Sequence, residues 1–196
     1  MKLIGVYDYT VILTYMSLVS AVLGMVFSSR ESFTAAILCL LASGICDAFD
    51  GTVARTKKNR TADEKSFGIQ LDSLCDVVSF GVFPAFLCYR MGVDRVLGII
   101  CICLYCLCAV ARLAFFNVLE TKRQQVEEGT NKYFRGLPVT SISIIFPLVY
   151  LLHGCFSYNV FAWILHGMLF VVALLFVLDI KIPKIDIAHT FRPKVH

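Results

Sequence analysis

The chain has 196 residues, 58% of them hydrophobic and 16% charged, with a mean hydropathy of +0.77 and a formal net charge of +4. Soluble domains are nearer half apolar and a quarter charged, so an ordinary water-soluble domain is excluded and lipid is the expected solvent. No glycine-rich phosphate loop or dinucleotide fingerprint is present, and no nucleic-acid partner is expected.

Six apolar segments follow one another, each near the roughly 20 residues that cross a bilayer. The first runs from about Tyr9 to Ser28. Because it is a full span, no short cleavable signal is expected. The second runs from about Phe33 to Val53 and the third from Gly68 to just before Arg90. The fourth covers Val96 to Phe116, the fifth and shortest Leu137 to His153, and the sixth Val160 to Leu178. The prediction is an all-α integral membrane protein of six transmembrane helices, a single membrane-embedded domain over residues 1–196. Pro84 and Pro147 fall inside spans and predict local kinks. The polar stretch from Glu120 to Gly136 reads as a loop, with a short amphipathic cytoplasmic segment as the alternative.

Basic residues set the orientation. Lys2, the loop from Arg55 to Lys65, the loop from Leu119 to Gly136 and the tail together hold fourteen Lys and Arg. The other face holds Arg30, Arg90 and Arg95, and Arg112 lies inside a span. Both termini are therefore expected on the cytoplasmic side. Nine cysteines lie almost all in apolar runs, without paired metal-binding knuckles, and read as small packing residues. The tyrosines near span ends and Trp163 read as interfacial aromatics. His153, His166 and His189 have no partner at ligand spacing.

The chemistry concentrates between Cys46 and Phe80. Asp47, Asp50, Gly51 and Ala54 fall at i, i+3, i+4 and i+7 on the second helix, and Gly68, Asp72 and Asp76 at i, i+4 and i+8 on the third. Each set lines one helix face. Carboxylates at membrane depth are functional by default, and two facing pairs would repel each other without cations. One or two Mg²⁺ or Mn²⁺ ions held through carboxylate oxygens resolve that repulsion, and such a centre clamps phosphate oxygens. Gly51 and Ala54 leave room beside it, and Arg55 can reach a phosphate. A buried-carboxylate cation transporter is the alternative of a different class, but it calls for ligands near the bilayer middle and broken helices.

Asp47-x2-Asp50-Gly51-x2-Ala54-Arg55, followed by Gly68-x3-Asp72-x3-Asp76, resembles the signature of the CDP-alcohol phosphotransferases. One departure is the twelve residues from Thr56 to Phe67, where that pattern usually has about eight. The strings around Asp72, then ARLAFFN (Ala111–Asn117) and FRGLPVT (Phe134–Thr140), resemble the branch that makes phosphatidylserine from CDP-diacylglycerol and L-serine. The resemblance implies six helices, two divalent metals, a homodimer embedded among membrane lipids, and displacement of CMP. It implies Asp47, Asp50, Asp72 and Asp76 as metal ligands, with Asp76 also the general base. Gly51, Ala54, Arg55 and Gly68 would contact the CDP group. Arg112 either snorkels to the interface or binds the serine carboxylate. Asn117 either caps its span or binds serine, and Ser79 either binds the acceptor or glues helices. An acceptor that is glycerol phosphate or inositol phosphate, or an ether-linked CDP donor, stays open.

Overall fold

The computed structural model describes Gly5 and residues 9–57, 61–125, 133–179 and 181–183, and over them the apolar segments are helices. Helix α1 (Ile12–Ser29), preceded by a 3₁₀ turn at Tyr9–Val11, packs antiparallel against α2 (Phe33–Thr56). Small polar residues bring these two together. Ser17 and Ser43 share a 2.7 Å hydrogen bond, and the Ser20 hydroxyl donates to the Cys39 carbonyl at 2.8 Å. Such pairings replace the hydrophobic drive that lipid-embedded helices lack.

The third span is built in pieces. Helix α3 (Ala62–Asp76) passes through a π-helical turn, Val77–Val82, into α4 (Phe83–Arg90). Its start lies six residues before the predicted Gly68, because Thr61 and Glu64 form a capping box: the Thr61 hydroxyl accepts from the Glu64 amide, and Glu64 accepts from the Thr61 amide. The T-x-x-E spelling was available in the sequence. The residues inserted between Arg55 and Gly68 are thus mostly helix rather than loop. Helix α5 (Val96–Gln125) likewise runs nine residues past the predicted end at Phe116, so Glu120–Gln125 are helical where a loop was expected. Residues 126–132 of that stretch lie outside the described residues.

Two three-residue strands, β1 (Tyr133–Arg135) and β2 (Lys181–Pro183), pair antiparallel with Phe134 opposite Ile182. Between them come α6 (Ile142–Tyr150), lengthened by 3₁₀ turns to span Val139–Cys155, and α7 (Tyr158–Val177). Val139–Cys155 is the shortest crossing. Its C-terminal end touches the start of α2 through Tyr150 and Thr34 hydroxyls 3.0 Å apart, while Gly136, just before it, lies against Arg112 near the far end of α5. It therefore traverses the bundle. Among the described residues five helices are long and apolar enough to cross a membrane, and this shorter one makes the sixth crossing.

The core joins α4, α5, α6 and α7 through Phe83, Leu87, Tyr105, Phe146, Leu165, Leu169 and Phe176. Leu74, Leu107, Ile144, Leu151 and Trp163 point outward, as residues facing hydrocarbon do. At the end of the bundle away from the carboxylates, the Arg90 guanidinium donates to the carbonyls of Ser28 and Ser29, closing the end of α1. Gly24 lets α1 and α4 approach closely: a Cβ there would lie 2.2 Å from the Phe83 ring, which is fully buried. Gly24→Ala should destabilise the solubilised protein by about 1–3 kcal/mol, a drop of several degrees in thermal midpoint. An unchanged midpoint would show that α1 and α4 can separate freely.

Candidate active site

Asp47 and Asp50 sit in the last turns of α2, and Asp72 and Asp76 close α3. One ligand oxygen from each of Asp47, Asp50 and Asp72 lies within 4.8 Å of the others. The side chain of Asp76 is set against Asp47 within hydrogen-bonding reach, as Asp72 is against Asp50. All four carboxylates predicted to meet are thus brought together across the α2–α3 interface. Asp76 is the deepest, 7% exposed. Asp50 accepts a 3.0 Å hydrogen bond from the Thr14 hydroxyl of α1, a supporting residue that the sequence reading did not single out.

These residues fit a hard divalent cation. The donors are carboxylate oxygens, the ligands Mg²⁺, Mn²⁺ and Ca²⁺ prefer. Asp72 Oδ1 is buried with no hydrogen-bond partner among the described residues, an arrangement that a cation would complete. Space is available too: outside its own stretch of helix, no described atom lies within 4 Å of a Cβ placed on Gly51, so the turn beside Asp47 and Asp50 is open. Ala54 and Gly68 are half-buried on the two helices, and Arg55 is helical in backbone.

Arg112 has its guanidinium enclosed by protein. It is 6% exposed, its guanidinium carbon 4.2 Å from the centre of the Phe116 ring, and Nε and Nη2 have no hydrogen-bond partner among the described residues. The Gly136 backbone covers it from the other side, since a Cβ there would lie 3.0 Å from Nη2. Gly136 has φ +70°, a conformation natural to glycine, and its Cβ would also meet the Leu178 carbonyl at 2.7 Å. Nothing in the spacing of FRGLPVT marks this glycine as the cover of Arg112.

Asn117 does not cap its span, because α5 continues to Gln125. Its Oδ1 accepts a 2.7 Å hydrogen bond from Ser73, the neighbour of Asp72. Gly81 lies against Ala109 further along the same interface. These two contacts fix the antiparallel register of α5 on the third span and set Arg112 level with the π-helical turn just beyond Asp76. Ser79, in that turn, is fully buried, and its hydroxyl has no partner among the described residues.

Four carboxylates carried by two helices at one end of a six-crossing bundle make a membrane-embedded site of oxygen ligands suited to a divalent cation. Residues 9–178 match the family model described as CDP-alcohol phosphatidyltransferase, and the chain belongs to that family. It is 35% identical over 176 residues to the archaetidylserine synthase of Methanothermobacter thermautotrophicus, covering 89% of this chain and 69% of that protein. It is 33% identical over 184 residues to the CDP-diacylglycerol–serine O-phosphatidyltransferase of Methanocaldococcus jannaschii, covering 93% and 76%. The Saccharomyces cerevisiae protein of the same name is 38% identical over 110 residues, 55% of this chain and 38% of its own. No solved structure matches the chain.

Chelation should lower the thermal midpoint of the solubilised protein, and adding a divalent cation should restore it. A ligand at one hundred times its dissociation constant stabilises by about 2.7 kcal/mol. Asp72→Asn should abolish that response without lowering the midpoint of the chelated protein, since one of the mutually repelling charges is gone. A full response in Asp72→Asn would remove this residue from the metal site.

Proposed function

We propose that the chain transfers a phosphatidyl group from CDP-diacylglycerol to L-serine, giving phosphatidylserine and CMP. The observation that carries the acceptor is Arg112, a buried cation whose Nε and Nη2 lack partners among the described residues, at the level of the turn after Asp76. The Asp179 carboxylate is near enough to act on this cation, yet Nε and Nη2 keep donors free, and a planar fork of donors suits a further carboxylate. Two of the relatives carry serine acceptor names, and a third, archaetidylserine synthase, names the same head group on another lipid. Serine brings a carboxylate for Arg112 and a hydroxyl for the phosphorus.

In this reading Asp47, Asp50, Asp72 and Asp76 hold two Mg²⁺ or Mn²⁺ ions, which when bound offset charge on the pyrophosphate oxygens. Gly51, Ala54, Arg55 and Gly68 seat the CDP group at the open turn of α2, with the acyl chains left in the bilayer. Arg112 fixes the serine carboxylate while Asn117, through Ser73, steadies the α3–α5 seam, and Ser79 offers its hydroxyl to the acceptor. Asp76 takes the proton of the serine hydroxyl. The serine oxygen bonds to the lipid-side phosphorus as the bridging P–O bond breaks, and CMP departs with the electron pair. The site and both termini face the cytoplasm, following the excess of Lys and Arg on that side. Residues 1–196 act as one membrane-embedded unit, working as the homodimer that the family resemblance implies.

CMP release from CDP-diacylglycerol, with serine, glycerol 3-phosphate and inositol 1-phosphate offered separately, tests the acceptor. Release with serine alone is expected, and release only with a phosphorylated alcohol would overturn it. Replacing the donor with its ether-linked counterpart reads the lipid preference in the same assay. Asp76→Asn should lower kcat by about 10²–10⁴-fold while CDP-lipid binding persists. Arg112→Lys should raise the KM for serine about 10- to 100-fold, the range of a charge-assisted hydrogen bond, with the KM for the lipid unchanged. An unaltered serine KM would remove Arg112 from the pocket.

A further inference from the structure

We infer that Tyr105 is a positioning residue for Asp76: with Pro84 it holds the π-helical turn that keeps the carboxylate face of the third span apart from its aromatic face. The inference rests on the reading of Asp76 as the base, and concerns residues outside the family signature.

The reason begins with helix phase. Phe83 lies seven residues beyond Asp76, so in an unbroken α-helix its ring would share the carboxylate face. Here it does not. Asp76 is set against Asp47 of α2, whereas Phe83 packs on Gly24 of α1. The intervening Val77–Val82 is π-helical, with the Phe83 amide donating to the Val78 carbonyl five residues back. One extra residue per turn shifts everything beyond it by about 100° relative to a continuous α-helix, which is enough to send the two faces to different neighbours.

Two side chains keep the turn wide. Pro84 has no N–H for the carbonyl of Phe80, its partner in the α register, and its ring crowds that carbonyl. The Tyr105 hydroxyl of α5 donates to the same carbonyl at 2.6 Å. Both Tyr105 and Phe80 are fully buried, so no water can take the hydroxyl's place. Tyr105 is itself wedged against Phe176, ring centres 5.6 Å apart, and the Cys106 thiol reaches the Gly81 carbonyl at 3.8 Å. Ser79 sits inside this turn with its buried hydroxyl unpartnered among the described residues, so the same device sets where that hydroxyl stands relative to Asp76.

The test is a cycle of Tyr105→Phe, Pro84→Ala and the double variant, each measured for thermal midpoint, cation-induced stabilisation and steady-state rate. Tyr105→Phe should lower the midpoint and lower kcat at least tenfold, with the cation response retained. In the double variant the backbone N–H gained on replacing Pro84 can serve the Phe80 carbonyl in the α register, so the midpoint should rise above that of Tyr105→Phe while kcat stays at least tenfold down. Recovery of stability without recovery of rate separates positioning from mere support. Wild-type kcat in Tyr105→Phe, or in the double variant, would overturn the proposal, as would a midpoint that Pro84→Ala fails to rescue. Rates are compared with wild type on whichever acceptor the wild type uses, so a different acceptor would refute the serine reading and leave this test intact.

Discussion

Everything in this molecule depends on four carboxylates being forced together where water is scarce. Three of them present oxygens within 4.8 Å of one another. At that separation each pair of charges repels by roughly 3–4 kcal/mol at an effective dielectric near 20. Summed over the pairs, the repulsion rivals the whole stability of a typical domain. A divalent cation held between these oxygens would relieve that repulsion. The surrounding structure reads as the means of holding that cluster still. The Ser17–Ser43 pair and the Ser20 hydroxyl lock α1 to α2, the Thr14 hydroxyl steadies Asp50, Ser73 and Asn117 tie α3 to α5, and Tyr105 fixes the turn beneath Asp76.

The site is asymmetric in a way that suits a transfer between two unlike molecules. On the α2 side the face beyond the carboxylates is small and open at Gly51, room for a bulky nucleotide. On the α5 side a buried guanidinium is roofed by Gly136, whose positive φ lets the backbone come close where a side chain could not. Gly136 also contacts the Leu178 carbonyl and follows the strand that pairs with β2, so the end of α7 is coupled to the Arg112 pocket. In the proposed reading the nucleotide side and the acceptor side meet at Asp76, the deepest of the four carboxylates.

Much of this was legible from residue types and spacing. The i, i+3, i+4 and i+7 pattern placed Asp47 and Asp50 on one face, and the i+4 repeat did the same for Asp72 and Asp76, because helical period alone decides facing. The expected crossings and their order also stand, with Val139–Cys155 the shortest. Boundaries were less legible. Polar residues around Thr61–Lys65 and Glu120–Gln125 look like loop to a hydropathy reading, yet both helices continue past their apolar parts, α3 because a capping box satisfies its first turn. Two things had no spacing signal at all. The burial of Arg112 depends on Gly136, a residue 24 positions away in sequence, and the π-helical turn depends on a hydroxyl that comes from another helix. Pro84 was visible and predicted a kink; the π-helical turn before it, with the Tyr105 hydroxyl on the Phe80 carbonyl, had no spacing signal.

The central claim is that the α2–α3 carboxylates form one metal centre. Anomalous scattering from crystals of the protein grown with Mn²⁺ and a CDP-lipid addresses it most directly. A peak within coordination distance of Asp47, Asp50 and Asp72 is the predicted result. Mn²⁺ absent from that cluster at saturating concentration, or bound only elsewhere on the chain, would contradict it.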